Sequence, residues 1–396
     1  MSRPLKHLLL ATAEDPFDRK SWSGVPFGLR AGLERKVESL TVFQSSPPSR
    51  NLPDVFRRIY YGGAQYPLWV TKATIKNNGR ELRAAIAKSN PDAVLSISSM
   101  CLAEVGEVSR PLFMFSDAPY IAYHEAYRGT IDRPRRLEWF GNEEAKVARR
   151  IDGLCFASSW AVQEALNLYG PVGRDGSSMA SRLHVTPLGA GLSPKIGREA
   201  IMQYVRQRPS DRIDLLFVGK DWERKGGPMA LEVARLLHAA GHVTRLHLVG
   251  CRPELPPDSS EYVVFHGVLR QDQREEAAKL EELFLTSHFL IVPTMAECFG
   301  IVFAEAQAFA LPPISRAVQA LPGVIADGVT GLLLDPDAPA EVYVERILAR
   351  LASPEAYRAM AVAALDRYEA SLSWDATAEK LITVMEQEVI SRARTP

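Results

Sequence analysis

Two glutamates that stand eight residues apart, Glu297 and Glu305, have the type and spacing to build a binding site. The apolar run Phe289–Val292 before them is typical of a buried strand, and the alanine-rich run Val302–Phe309 has helical spacing. Ligands of an α/β sheet bind beyond the carboxyl ends of the strands, where a helix start directs unpaired N–H groups at an anion and Gly300 permits close approach. The two carboxylates could hold hydroxyl groups at two depths of one pocket. The alternative is a pair of solvated surface glutamates.

Two adjacent cations, Arg224 and Lys225, occupy a second predicted strand-to-helix turn. The apolar segment 214–218 reads as a strand that ends in Gly219, and Met229–His238 has the spacing of an amphipathic helix. Arginine can bind phosphate oxygens with two parallel N–H groups, while lysine adds a point charge. The turn therefore suits a diphosphate, and an exposed charged turn is the alternative.

Two candidates follow strands in the first half of the chain. Gly24 comes after the predicted strand Leu8–Ala11, near the start of the next helix, where a plain turn explains it equally well. Asp117 follows the apolar strand Pro111–Phe115, and an aspartate at a strand end also serves as a helix cap. His124 is a second candidate for the role of Asp117, although a lone histidine is more often structural.

The composition predicts an ordinary soluble globular protein. The chain has 396 residues, 46% of them hydrophobic and 24% charged, which is enough for two domains. Its four cysteines stand singly without C-x-x-C spacing, which argues against a zinc site or a disulfide framework and favours a reducing cytoplasm. No apolar run approaches the ~18 to 20 residues that span a bilayer, and Leu8–Ala11 reads as a strand and not as a signal peptide. We therefore expect a cytoplasmic protein.

The net charge of zero is unevenly distributed. Residues 1–190 carry 25 lysines and arginines against 19 acidic residues, and the densest basic stretch is Arg128–Arg136. Such a stretch favours either peripheral contact with anionic lipid on the inner face of the membrane, or an exposed charged loop. Nucleic acid is not expected, because no recognition module accompanies the basic residues.

Strand and helix signals alternate along the chain, which predicts parallel sheets covered by helices.

The stretch Glu297-Cys-Phe-Gly-Ile-Val-Phe-Ala-Glu305, with the Arg224-Lys225-Gly element before it, resembles the nucleotide-sugar site of retaining glycosyltransferases of family 4. This resemblance implies the α/β GT-B fold, in which two Rossmann-like domains with parallel sheets face a central cleft. It places an acceptor-side domain at 1–190, with the helix 374–396 crossing back to it, and a nucleotide-sugar domain at 191–373. It also implies transfer of a sugar from a nucleoside-diphosphate sugar to a saccharide, lipid-linked or small-molecule acceptor, as in polysaccharide biosynthesis.

The resemblance also implies roles for individual residues. Glu297 would orient the donor sugar, Glu305 would bind the ribose, and Arg224 and Lys225 would stabilise the departing diphosphate. Asp117 would lie beside the reacting sugar. The remaining donor-binding positions are main-chain ones near the phosphates, the base or the helix start, namely Gly24, Gly219, Val268, Phe299, Gly300, Ile301 and Val302. Enzymes of this kind need no metal cofactor, and no Asp-x-Asp sequence occurs in the chain.

The chain departs from the family pattern at Gln319-Ala320, where relatives usually have two glycines. Side chains at these positions would crowd the donor, so a noncatalytic nucleotide-sugar-binding module is one alternative. A second alternative is an epimerase-like enzyme on the same architecture, which acts on a nucleotide sugar without an acceptor. The sequence does not identify the base, the sugar or the acceptor.

Overall fold

Two parallel sheets of six strands each form the frame of the protein in the computed structural model, which describes residues 5–45, 71–128, 134–173 and 176–394. The chain divides into two units. The first comprises Met1–Pro187 with Thr377–Pro396, and the second comprises Leu188–Ala376. The roles that the family resemblance implies for domains 1–190 and 191–373 remain predictions.

The first unit contains six described strands and the six described helices before residue 170. The strands are β1 (His7–Thr12), β2 (Ser39–Gln44), β3 (Ala93–Ser96), β4 (Leu112–Ser116), β5 (Gly153–Phe156) and β6 (Leu183–Val185). The helices are α1 (Val25–Glu34), α2 (Lys72–Ser89), α3 (Ser99–Leu102), α4 (Tyr120–Arg128), α5 (Pro134–Arg150) and α6 (Ser159–Tyr169). The chain's last helix, α14 (Trp374–Arg394), lies mostly in this unit, where the hydroxyl of Thr377 donates to the carbonyl of Pro187 over 2.8 Å.

The second unit has the same alternation of strand and helix. Its strands are β7 (Ile213–Val218), β8 (Thr244–Val249), β9 (Val263–Gly267), β10 (Phe289–Ile291), β11 (Pro313–Arg316) and β12 (Leu332–Leu334). Its helices are α7 (Arg198–Gln207), α8 (Gly227–Ala239), α9 (Arg274–Thr286), α10 (Ile301–Ala308), α11 (Leu321–Val324), α12 (Ala340–Leu351) and α13 (Pro354–Arg367). The two units also contain short turns of other helix types. These are 3-10 turns at Ser21–Gly24, Met179–Arg182 and Pro257–Glu261, and a π-turn at Tyr368–Leu372.

The central strands are apolar along their length because helices cover both faces of each sheet. Leu8, Leu9 and Leu10 of β1 are fully buried, as are the three consecutive residues 215–217 of β7. All pairings between the strands are parallel. The α/β architecture predicted from the alternation of strands and helices is confirmed.

The order of the strands decides where a ligand can enter each sheet. The second sheet has the order β12-β11-β10-β7-β8-β9, so the chain moves outward from β7 to one edge and returns to build the other edge from β10. The loops after β7 and β10 therefore lead to helices on opposite faces, and a crevice opens between them at the carboxyl ends of the two strands. In the first sheet, of order β2-β1-β3-β4-β5-β6, the same reversal falls between β1 and β3.

Candidate active site

The predicted cation pair and the predicted glutamate loop meet at the strand-order reversal of the second unit. Arg224 and Lys225 lie on the loop from β7 to α8, and Glu297 lies on the loop from β10 to α10. Because β7 and β10 are hydrogen-bonded neighbours, the two loops emerge side by side. Their ligand-binding roles remain predictions, but the structure brings the three charged residues together.

Main-chain contacts join the two loops into one structure. The N–H of Met295 donates to the carbonyl of Arg224 over 2.8 Å, and the hydroxyl of Thr294 donates to the same carbonyl over 3.2 Å. Gly226 caps α8 with φ of +74°, a conformation that strongly favours glycine. A Cβ at this position would lie 2.0 Å from the carbonyl oxygen of Pro293. Residue 226 must therefore be glycine both for its own backbone and for the approach of the second loop.

Neighbouring groups hold the guanidinium of Arg224 in place. One terminal nitrogen donates to the carbonyl of Ala296 over 3.0 Å, and Nε donates to Oδ2 of Asp221 over 3.2 Å. The side chain remains about a quarter exposed. The group is thus oriented while part of its surface still faces solvent, as an anion-binding arginine requires.

Lys225 and Glu297 form an ion pair within the site. The ammonium of Lys225 contacts Oε2 of Glu297, and a terminal nitrogen of Arg224 lies 3.9 Å from the same oxygen. The side chains of Glu297 and Lys225 are only 6% and 14% exposed. Burying either charge alone would be costly, and the pairing offsets that cost.

The start of α10 adds main-chain donors beside Glu297. Gly300 caps the helix with φ of +83°, and a Cβ there would lie 2.5 Å from the ring of Phe303 and 2.9 Å from Cγ of Glu297. The N–H groups of Ile301 and Val302 have no acceptor within the helix because they belong to its first turn. Both residues are partly exposed, whereas Phe299 is buried. The helix start can therefore present N–H groups to an anion.

Glu305 lies one turn further along α10. Its Oε1 accepts the N–H of Leu192 over 3.0 Å. Burial raises the pKa of the Glu305 carboxyl to about 7, while the Leu192 N–H and the charge of Lys225 oppose the rise. The predicted contact with a ribose remains a prediction. Leu192 lies in the connection between β6 and α7, and its hydrogen bond to Glu305 had no signal in the sequence.

Gly219 and Val268 each lie directly after a strand of this sheet. Gly219 follows β7, and a Cβ there would lie 3.2 Å from Cγ of Lys225, so the missing side chain leaves room for the lysine stem. Val268 follows β9 at the edge of the sheet, two strands away from β7, and its side chain is 59% exposed. The predicted reading of the base by its main chain remains a prediction.

The first-unit candidates lie on loops after β1 and β4. Gly24 caps α1 with φ of +80°, and the two residues before it, Trp22 and Ser23, also have positive φ. Oδ1 of Asp117 accepts the N–H of Ala118 over 2.9 Å and the hydroxyl of Ser116 over 3.3 Å. The aspartate thus stabilises its own loop.

Helix α4 is capped by a buried glutamate, Glu144, which had no signal in the sequence. Oε2 of Glu144 accepts the N–H of Tyr120, the first residue of α4, over 2.8 Å. Burial raises the pKa of Glu144 to about 7, against hydrogen bonds that include the one from Tyr120, and the charge of Asp117 adds to the rise. His124 is 7% exposed and packs edge-on against the rings of Tyr120 and Tyr123, as expected of a structural histidine.

Two other expectations concern membranes and metals. The side chains of the basic stretch Arg128–Arg136 lie outside the described residues. Among the helices that are described, none is both long and apolar enough to cross a membrane. Within the same parts of the chain, no group of three or more histidine, cysteine or acidic side chains is arranged to hold a metal ion.

Comparison with known proteins links the second unit to a sugar-transferring family. Residues 212–353 match the family model described as glycosyl transferases group 1. The D-inositol 3-phosphate glycosyltransferase of Thermomonospora curvata is 27% identical over 259 residues, which cover 61% of this chain and 58% of that protein. The enzyme of the same name from Segniliparus rotundus is 31% identical over 180 residues, or 44% and 39% of the two chains. The chain thus spans about half the length of these curated relatives.

Solved structures show the same fold at low sequence identity. Sucrose-phosphate synthase from Thermosynechococcus elongatus superposes with a TM-score of 0.65 at 19% identity, covering 98% of this chain and all of the other. HepE from Anabaena, solved in complex with UDP, gives a TM-score of 0.60 at 14% identity and covers 99% and 100% of the two chains. Both are similar to this protein along almost their whole length.

Proposed function

We propose, from the membership of residues 212–353 in the glycosyl transferases group 1 family, that the protein transfers a sugar from a nucleoside-diphosphate sugar to an acceptor hydroxyl with retained anomeric configuration. The observation that carries this proposal is the cluster of Arg224, Lys225 and Glu297 at the carboxyl ends of β7 and β10. The cluster lies within the matched residues and combines two cations with one carboxylate at the strand-order reversal of the sheet.

The chemistry requires stabilisation of a departing diphosphate. Arg224 and Lys225 supply positive charge, and the first N–H groups of α10 supply fixed dipoles where negative charge develops. In the proposed step the bond from the anomeric carbon to the diphosphate breaks, and the bond to the acceptor oxygen forms on the same face. The departing phosphate oxygen takes the acceptor's proton. Glu297 orients the sugar, and no side chain need act as a separate base.

The proposal includes no metal cofactor. Two cationic side chains and a helix start already face the position of the diphosphate, so the charge that a divalent ion would neutralise has protein partners. Turnover should therefore be the same in EDTA and in added Mg²⁺. A large loss of activity in EDTA would overturn this part of the proposal.

The choice of first substrates follows the relatives. HepE is solved with UDP and with UDP and glucose, and the curated relatives are named for transfer to D-inositol 3-phosphate. We propose a nucleoside-diphosphate hexose as donor and a saccharide, a lipid-linked saccharide or a small polyol phosphate as acceptor. The excess of basic residues in 1–190 supports a further proposal, that a cytoplasmic protein docks peripherally on anionic lipid. Co-sedimentation with vesicles containing phosphatidylglycerol, compared with neutral vesicles, tests it.

Thermal stabilisation by a panel of nucleotide sugars tests the donor site. UDP-, GDP-, ADP- and TDP-sugars and the free diphosphates would be compared, since ligand at 100 times its Kd adds about 2.7 kcal/mol. Arg224→Ala and Lys225→Ala should lose the stabilisation. Arg235→Ala is the matched control, because Arg235 lies on α8 with its exposed side chain paired to Glu232. If no panel member stabilised the parent, or if both site variants bound as the parent does, the proposed donor site would be wrong.

Product analysis separates transfer from the alternatives. With the donor identified, release of the free diphosphate should depend on an acceptor, and the coupling constant of the new anomeric proton should match that of the donor. Donor binding without release under every acceptor would favour a noncatalytic binding module. Conversion of the donor sugar to its epimer would favour the epimerase-like alternative.

A further inference from the structure

The connection between β11 and α11 contains a strained residue that points at the candidate site. Gln319 has φ of +36°, in the left-handed region that is unfavourable for a residue other than glycine. Ala320 beside it is buried and precedes α11. A residue keeps an unfavourable backbone conformation only when contacts with its surroundings hold it there.

Those contacts are with Glu297. Oε1 of Gln319 accepts the main-chain N–H of Glu297 over 3.0 Å, and the N–H of Ala320 lies 3.4 Å from the Glu297 carbonyl oxygen. Both main-chain polar groups of Glu297 are thus held by residues 319 and 320, while Lys225 holds the carboxylate. The position of the glutamate in the loop is fixed from three sides.

The hydrogen bond also fixes which way the amide of Gln319 faces. A main-chain N–H can only donate, so the atom that faces Glu297 must be the amide oxygen. The NH₂ group is then turned away from that N–H. Within the described parts of the chain it has no hydrogen-bond partner, and the residue is partly exposed. Two N–H donors therefore lie next to Glu297 without an acceptor.

We infer that Gln319 determines donor-sugar specificity: its amide oxygen positions Glu297, and its NH₂ group donates to an oxygen of the donor sugar. This inference rests on the proposed function. The sugar is the expected partner, and not the diphosphate, because Gln319 contacts Glu297, whereas the cationic groups that suit phosphate belong to Arg224 and Lys225.

Two near-isosteric variants separate the two halves of the inference. Gln319→Glu keeps an oxygen that can accept the Glu297 N–H but replaces the NH₂ donor with a second oxygen. Gln319→Met keeps the length and removes both polar groups without adding charge. Gln319→Gly relieves the left-handed backbone and serves as the reference for strain.

The readout is a ratio of affinities measured by calorimetry. The probes are the nucleoside diphosphate and its sugar derivative that stabilise the parent most among the UDP, GDP, ADP and TDP compounds above. Both isosteric variants should weaken binding of the nucleotide sugar by about three- to ten-fold more than binding of the free diphosphate, the range expected from the loss of one hydrogen bond. The ratio cancels a general effect of the added charge in Gln319→Glu on phosphate binding.

The outcomes distinguish this inference from the proposed function. An unchanged ratio in Gln319→Glu, with thermal stability like that of the parent, would overturn the sugar contact and leave Gln319 as a positioning residue for Glu297. An unchanged ratio in both isosteric variants would overturn both halves. If the parent bound neither probe, the proposed donor site itself would fail. If the parent bound both probes and the two isosteric variants had the same ratio of affinities as the parent, the proposed donor site would stand and this inference would be wrong.

Discussion

Replacing Glu305 with glutamine should stabilise the second unit at alkaline pH and leave its stability nearly unchanged at acid pH. Glu305 lies on α10 and is partly exposed, but desolvation of its carboxyl by the surrounding protein raises the pKa from 4.5 to about 7. The native state therefore binds this proton more tightly than the unfolded chain does. The resulting stabilisation is fully present below about pH 4.5 and is lost as the pH rises to about 7.

The magnitude follows from the pKa. At about 1.4 kcal/mol per pKa unit, a rise from 4.5 to about 7 corresponds to up to about 3 kcal/mol. Glutamine stays neutral at every pH, and its amide oxygen can still accept the Leu192 N–H. For a domain of this size, 3 kcal/mol corresponds to roughly 6 to 12 °C in Tm. The difference in Tm between Glu305→Gln and the parent should therefore be small at pH 5 and grow to several degrees at pH 8.

Scanning calorimetry across pH 5 to 8.5 checks this prediction. Glu144, whose pKa is also raised to about 7, lies in the first unit and is retained in both proteins, so its effect cancels in the difference. Glu345→Gln is the matched control, because Glu345 is an exposed carboxylate on α12. A constant difference in Tm between Glu305→Gln and the parent from pH 5 to pH 8 would refute the argument, as would an equal pH dependence in the control.

Two further predictions concern the loops of the site. Gly226→Ala should lower Tm much more than Gly241→Ala in a thermal melt. Both glycines have positive φ, but only a Cβ at 226 would meet a neighbour, the carbonyl of Pro293. Equal losses of Tm would show that the loop contact is unimportant. Glu297→Gln should lower the rate of sugar transfer by at least about ten-fold. Binding of the free diphosphate should be no weaker, because Lys225 loses the carboxylate that competes for it. Weaker binding of the diphosphate with an unchanged transfer rate would contradict the assigned roles.

The sequence was most informative where local pattern and topology act together. The apolar runs ending in Gly219 and Val292 are strands because parallel strands covered on both faces must be apolar throughout. A helix start after each strand then places Arg224, Lys225 and Glu297 at the same edge of one sheet. That edge could be predicted from the order of the motifs, whereas the direct contact of Lys225 with Glu297 depends on side-chain packing.

Contacts between residues far apart in the chain had no such signal. Glu144 lies on α5 and caps α4, the preceding helix, at Tyr120. Nothing in the spacing of these two residues predicts the contact. Gln319 was visible only as a departure from the family pattern, and the sequence suggested that its side chain would crowd the donor. In the structure its oxygen bonds the main chain of Glu297, a possibility that depends on the left-handed φ of residue 319.

The ion pair between Lys225 and Glu297 balances charge within the proposed donor site. Two cations close to a helix start would repel each other if they were buried alone, and Glu297 offsets this charge with a carboxylate that is almost fully buried. A diphosphate brings more negative charge than one glutamate and so can share Lys225 with it. Glu297 would then have one oxygen less tightly held, next to the sugar that the same diphosphate carries. Under the proposed function, the residue that offsets the charge of the two cations would therefore also orient the donor sugar.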